Sequence, residues 1–293
     1  MVASERSVSR SPRRPALPWH AITLALALIA GSPPALAEDT LGASESFYAL
    51  YPPPPPVPGQ WRYTVGAGVV SLPTFPGADD QRTEVVPVLA ANRGRFFIGA
   101  NPDTASLLSL GAYLVQDAHW RMGLAATYDV VAPREESDDA HLRGLGDLDR
   151  TTHAELFGVY VAGWASLRGS LVSDIGGNSR GTYATLEAMG AFPLNPQWVL
   201  VAGPGLSWGN DQYMRAYYGV SAAQSADSGL PAYNAGSGLY NARFSLGANY
   251  RPRPGWNIGA NLALAWLQSD ANDSPVSQDN QQLTATLLVS RSF

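Results

Sequence analysis

The stretch Gln282-Leu-Thr-Ala-Thr-Leu-Leu-Val-Ser-Arg-Ser-Phe293 decides the fold. Read with a period of two, Leu283, Ala285, Leu287, Val289 and Phe293 fall on one face, and Thr284, Thr286, Ser290 and Ser292 on the other. Successive side chains of a strand point to opposite faces, so this segment is a strand with an apolar side and a polar side. Such a strand suits a sheet with lipid against one face and a polar lumen against the other. Arg291 interrupts the apolar face, but it lies near the strand end, where a long side chain can snorkel to the interface.

Working outward from that strand, the same grammar recurs. Trp256, Ile258, Ala260, Leu262, Leu264 and Trp266 share a face, opposite Asn257, Gly259 and Asn261. Tyr240, Ala242, Phe244, Leu246, Ala248 and Tyr250 oppose Asn241, Arg243, Ser245, Gly247 and Asn249. Aromatics at both ends of an apolar stripe are what two membrane interfaces select. Twelve candidate strands follow: 60–71, 84–92, 94–101, 106–114, 119–131, 152–162, 164–175, 181–192, 197–208, 239–250, 256–267 and 282–293, with ten as the alternative count. Soluble sandwiches also alternate, but their strands are usually shorter, with a mode of about 5–6 residues. Every second connection is brief: Arg93, 115–118, Gly163, 193–196 and 251–255. The others, on the outer side, are mostly long, 72–83, 132–151, 209–238 and 268–281, with only 102–105 and 176–180 short. Short periplasmic turns and long outer loops are the rule for outer-membrane barrels, and an even strand count returns both ends to the periplasm. The expected fold is all-β: a transmembrane antiparallel barrel over residues 60–293, most simply of twelve strands.

The remainder of the chain fits export. Arg6, Arg10, Arg13 and Arg14 precede the apolar run 21–30, and Ala35-Leu36-Ala37 then Glu38 supply a small-x-small cleavage site, so residues 1–37 read as a signal peptide. The apolar run is about half the ~20 residues of a spanning helix, which disfavours an anchor. The Arg13-Arg14 pair lacks the flanks of a twin-arginine signal. Residues 38–59, with prolines at 52–56 and 58, read as a stiff periplasmic tether, preferred over a ligand for a proline-binding module. The expected location is the outer membrane of a Gram-negative bacterium. No cysteine occurs, which removes disulfides, a lipoprotein anchor and thiol chemistry. No lysine occurs either. Residues 38–293 carry 15 arginines against 23 acidic residues, a net charge of −8, which argues against a nucleic-acid partner.

On this register the inward faces carry Arg62, Arg121, Asp129, Glu155, Arg168, Asp174, Glu187 and Arg243. Bare charges toward lipid are costly, so these pair across the lumen or line water, and a salt-bridged interior is preferred over a selective pore. Gly177-Asn178-Ser179-Arg180-Gly181 matches the G-x-S-x-G pattern of hydrolases. That pattern works only on a strand–turn–helix, whereas here it falls in a hairpin turn. His153 lies at an outer strand end with no acid identified to orient it, so a rim histidine is preferred over a general base. The acidic segment 134–150 offers carboxylates for Ca²⁺ but lacks EF-hand spacing, so a solvated outer loop is expected. The loop 209–238 is rich in tyrosine and long for a structureless connection. It is expected to fold over or into the barrel mouth, with a helical turn around Tyr213–Tyr218. No catalytic, cofactor-binding or metal residue is assigned.

A strand ending in Phe293 resembles the closing signature of bacterial outer-membrane barrels, although Arg291 stands where that signature has an apolar residue. The segments 211–226, 228–233, 143–149, Pro76-Gly-Ala-Asp-Asp80 and Asp273-Ser-Pro275 resemble the MipA/OmpV family, outer-membrane proteins named for interaction with the murein hydrolase MltA. The resemblance runs from about Trp61 to the end. It departs in the proline tether and at Ala78, where the family often has Ser. It implies a non-enzymatic barrel in the lipid bilayer, scaffolding a murein lytic transglycosylase together with a murein synthase. The alternatives are a small-solute channel and a surface-exposed adhesin. The resemblance supplies no site residues.

Overall fold

The computed structural model describes residues 59–293, apart from residues 105, 130 and 131. The expected signal peptide and all but the last residue of the expected tether lie outside the described residues. Twelve strands follow in chain order: β1 (Trp61–Pro73), β2 (Gln81–Arg93), β3 (Phe96–Gly99), β4 (Leu108–Gln116), β5 (Trp120–Tyr128), β6 (Thr152–Ala162), β7 (Ala165–Asp174), β8 (Thr182–Asn195), β9 (Trp198–Gly209), β10 (Gly238–Tyr250), β11 (Trp256–Leu267) and β12 (Gln281–Ser292). Each pairs antiparallel with its sequence neighbour, and β12 closes onto β1, with Thr64 opposite Ser292 and Ser71 opposite Ala285. Closure satisfies the backbone groups of both terminal strands. In hydrocarbon an open edge would leave them without partners.

The period-two pattern sets which face meets lipid. On β12, Leu283, Leu287, Val289 and Phe293 point outward and exposed, while Gln282, Leu288 and Ser290 are buried in the interior. Leu288 packs inside against Val70 and Val86. The other strands largely obey the same parity, with Val85, Leu89, Leu110, Leu124, Leu186, Leu246 and Leu262 outward. Tyr240, expected on the outer face of β10, is instead buried where the register shifts between Leu239 and Asn241. An aromatic girdle rings the end where the short turns gather: Trp61, Tyr63, Phe96, Trp120, Tyr160, Trp198, Trp256 and Phe293. Arg291 belongs to it. Its guanidinium lies 5.5 Å from the Trp256 ring and 4.7 Å from the Phe293 ring, which is how a charge is accommodated on the apolar face.

Strand positions follow the sequence closely, with β6 and β11 bounded as expected. The exception is β3, which spans four residues rather than 94–101. Gly99 ends it with φ +84°, and a Cβ there would clash with the Leu89 carbonyl oxygen. Only glycine makes that turn, and the chain leaves the wall for the lumen.

Among the described residues, three α-helices and a short 3-10 turn (Ala140–Leu142) lie in the outer connections: α1 (Asp211–Tyr218), α2 (Ala222–Ser228) and α3 (Ser269–Asp273). Asn210 caps α1 by accepting from Tyr213 N at 2.8 Å, and Asp211 in the first turn suits the helix dipole. Ser221 and Gln224 form a capping box on α2, which Gly229 ends in the left-handed conformation.

Candidate functional site

The lumen gathers buried polar chemistry, and at mid-height side chains fill it. The β3–β4 connection, expected to be an outer loop, instead folds inward and buries Asn101, Asp103 and Thr104. Asp103 is fully buried and receives a two-pronged contact from Arg121, with Nε to Oδ2 at 2.7 Å and Nη2 to Oδ1 at 2.9 Å. The Tyr113 hydroxyl donates to Asp103 Oδ2 at 2.9 Å, and Arg168 Nη2 donates to the Asp103 carbonyl at 3.1 Å. Arg168 also donates to Glu187 at 3.1 Å and stands 3.8 Å from Glu155. Glu187 in turn accepts from Arg243, which donates to Ser207 Oγ at 3.0 Å. Three arginines and three carboxylates thus form one buried, charge-balanced belt linking β5, β6, β7, β8 and β10. Phe97, Tyr113 and Phe157 pack beside it in tilted and edge-to-face contacts at 5.4–6.0 Å. A belt of this kind joins opposite walls, because each charge taken from water must find its partner within the lumen.

The outer mouth is closed by the long connections. Tyr213, Met214 and Tyr218 of α1 pack with Tyr240, Leu267 and Ala271. Beside them, Phe75, Ala78, Leu142, Leu145, Val220 and Val276 form a second apolar cluster. That cluster draws residues from four different outer connections, so the cap folds as a unit. Polar ties reinforce it: Ser274 Oγ donates to the Tyr218 carbonyl at 2.6 Å, and Gln278 N to the Gly77 carbonyl at 2.7 Å. Burial pushes the Tyr213, Tyr217 and Tyr218 hydroxyls above their ordinary pKa. Asp211, on the surface, is held below the usual carboxylate range by the backbone and side chain of Ser237.

The expectation of a solvated 134–150 loop is corrected here. Leu142 and Leu145 are buried in the cap, and the acids serve the loop's own backbone. Asp147 accepts from Glu136 N at 2.7 Å, Asp139 from His141 N at 2.6 Å, and Glu136 from Gly146 N at 2.6 Å. Asp139 shares a small carboxylate cluster with Asp79 and Asp80, already committed to the turn it caps. The helix expected around Tyr213–Tyr218 is present and begins two residues earlier.

His153 does have an acid. Its Nε2 lies 3.0 Å from Asp129 Oδ1, which the sequence placed on the inner face but did not connect to the histidine. Among the described residues no serine or threonine hydroxyl hydrogen-bonds to His153. The adjacent Thr151 hydroxyl donates instead to Asp174 at 2.8 Å. Ser179 sits at φ +55° in the β7–β8 connection, with no helix after it, so the G-x-S-x-G match lacks the scaffold that exposes a nucleophile. All eight inward charges expected from the register lie inside: seven in the belt or at the outer rim, and Arg62 in the periplasmic mouth.

The family model described as "MltA-interacting protein MipA" matches residues 65–293. The chain belongs to that family. It is an outer-membrane β-barrel protein. The "MltA-interacting protein" of Escherichia coli (strain K12) is 27% identical over 219 residues, covering 74% of this chain and 84% of its own length. The "Putative outer membrane protein YiaT" of the same strain is 23% identical over 234 residues, covering 78% and 90%. Among solved structures, the outer membrane channel DcaP of Acinetobacter baumannii aligns at 8% identity and a TM-score of 0.38, covering 86% of this chain and all of that one. The barrel itself rests on the strand pairing described above.

In this MipA-family barrel, sequence reasoning missed Asp103, the residue on which the belt turns. Its signal was present: Gly99 followed by Asn101-Pro102-Asp103 is turn chemistry only a few residues after a turn at Gly94, too soon for a full strand.

Proposed function

We propose that this protein is a non-enzymatic outer-membrane scaffold whose periplasmic face holds murein-remodelling enzymes, a lytic transglycosylase together with a murein synthase, close to the membrane. The observation that carries the reading is the filled lumen. A neutral belt spanning five strands, under a folded outer cap, is built for rigidity rather than for passage. Membership of a family named for MltA interaction supplies the partner class. The histidine–aspartate pair and the Ser179 turn offer no aligned nucleophile and base, which favours a role without chemistry.

The test is recovery of partners from detergent-solubilised envelopes, comparing the mature chain with a version lacking residues 38–59. Stable interfaces need about 800 Å² per partner, more than the short turns offer readily, so a murein hydrolase or synthase recovered only with residues 38–59 present places the contact on that segment. Recovery with both moves the contact to the turns. Recovery with neither overturns the scaffold. The competing channel reading predicts steady conductance in planar bilayers, where a scaffold with a filled lumen is silent.

A further inference from the structure

Below the belt, the lumen opens to the periplasm as a cavity of about 620 Å³. Its walls are inward-facing residues of β1, β2, β11 and β12, and its floor is Ala100 and Pro102 of the infolded connection. Over its mouth reaches the longest periplasmic turn, Arg251-Pro-Arg-Pro-Gly255 between β10 and β11. Two prolines stiffen that turn, and hydrogen bonds clamp it at both ends. Arg251 N donates to the Gln197 carbonyl at 2.8 Å, and Ser292 N to the Gly255 carbonyl at 2.7 Å. The overhang is therefore fixed against both neighbouring wall segments.

The lining is chemically one-sided. Arg62, Arg251 and Arg253 contribute three guanidinium groups, and among the described residues no Asp or Glu side chain lines the cavity. In a mature chain of net charge −8 this concentration of positive charge is a local reversal. Between the arginines stand amide and hydroxyl groups, from Asn92, Gln197, Asn257, Ser290 and Ser292, beside apolar surface from Leu288. Planar guanidinium forks match carboxylates in a two-pronged geometry, amide side chains both donate to and accept from peptide groups, and the volume falls within the range of about 300–1,000 Å³ that houses small ligands.

We infer that this vestibule is a binding site for a carboxylate-bearing peptide of a few residues, entering from the periplasm. Two sources share that chemistry: free acidic peptides and the carboxylate-bearing peptides that project from murein. The cavity is too small for a folded domain, and its amide lining answers a peptide better than a bare anion.

The test uses the full mature protein in detergent, with an acetylated Ala-Glu-Ala-Ala peptide as probe and its Gln-containing, C-terminally amidated analogue as control, measured by calorimetry. Intact murein sacculi form a second arm, read by co-sedimentation. The acidic peptide should bind and the neutral analogue should bind at least tenfold more weakly. Arg251→Gln with Arg253→Gln, both on a turn and away from the ladder, should weaken peptide binding by at least about tenfold per arginine. Arg62→Gln adds a third, independent variant, and each is checked for heat-modifiable migration as evidence of a folded barrel. Sacculus binding lost in the same variants identifies murein as the source, and peptide binding without sacculus binding identifies free peptides. Equal binding of both peptides, unchanged affinity in folded variants, or preferential binding of inorganic phosphate or phosphatidylglycerol micelles overturns the inference. No partner enzyme is present in this experiment, so its failure leaves the scaffold reading standing.

Discussion

Replacing Glu187 with Ala removes the carboxylate that two arginines share in the middle of the barrel. Glu187 is 4% exposed and accepts from both Arg168 and Arg243, whose side chains are 2% and 3% exposed. With it gone, Arg168 retains Glu155 at 3.8 Å and the Asp103 carbonyl at 3.1 Å, and Arg243 faces Ser207 Oγ at 3.0 Å. The belt then holds one positive charge in excess. Removing one partner of a buried ion pair costs about 3–5 kcal/mol, because the remaining charge stays in a dry interior. Glu187→Gln keeps the shape and one acceptor, and should cost about 1–3 kcal/mol. Pairing Glu187→Leu with Arg243→Met removes both charges and should recover most of the loss, since apolar isosteres of buried pairs are often neutral or stabilising. The assay is reversible urea unfolding of the barrel in lipid vesicles, followed by tryptophan fluorescence and by migration on gels. Because the pair is out of solvent, the cost should be insensitive to added salt. A Glu187→Ala cost below about 1 kcal/mol, or one that salt abolishes, would mean a hydrated lumen, and would refute the reasoning from burial on which the closed interior depends.

Other consequences can be measured with the same barrel. Tyr213→Ala removes a ring packed against Tyr183, Tyr217 and Tyr240 at 4.4–5.2 Å; the expected cost is about 3–5 kcal/mol, confined to the cap and seen as faster proteolysis within 210–237 while the folded barrel's migration is unchanged. An unfolded tyrosine releases its proton near pH 10, whereas the buried Tyr213 and Tyr218 hold theirs to higher pH. Their contribution to cap stability is therefore fully present below about pH 10 and is lost as pH rises through the folded values, which tyrosinate absorbance and cap proteolysis should report together. Gly99→Val forces a Cβ onto the Leu89 carbonyl at φ +84° and should release the infolded connection. The chain has no cysteine, so a Thr104→Cys reporter should resist maleimide in the parent and react in the Gly99→Val background. His153→Ala removes a hydrogen bond to Asp129 and should cost about 1–3 kcal/mol of stability, with no change in any ester hydrolysis assay.

The sequence by itself determined the wall. Most of the wall was legible from period-two alternation, and the inner and outer faces of β5 through β12 follow from parity except at Tyr240, because a one-residue slip would turn leucines inward and arginines to lipid. Turn lengths fixed the orientation, and the excess of tyrosine in 209–238 marked a folded cap rather than a floppy tip. What only the tertiary structure decided is how the interior is occupied. Parity placed Arg168, Glu187 and Arg243 inward but could not pair them, since the Arg168–Glu187 contact depends on the exact β7–β8 register and Arg243 reaches Glu187 over Gly205 of the intervening β9. It could not join Asp129 to His153 across β5 and β6, nor bury Leu142 and Leu145 of a loop whose acids read as solvated. Least legible was Asp103: a connection that leaves the wall has no period to read, and its destination is fixed by one left-handed glycine and by an arginine on β5, the strand next to β4.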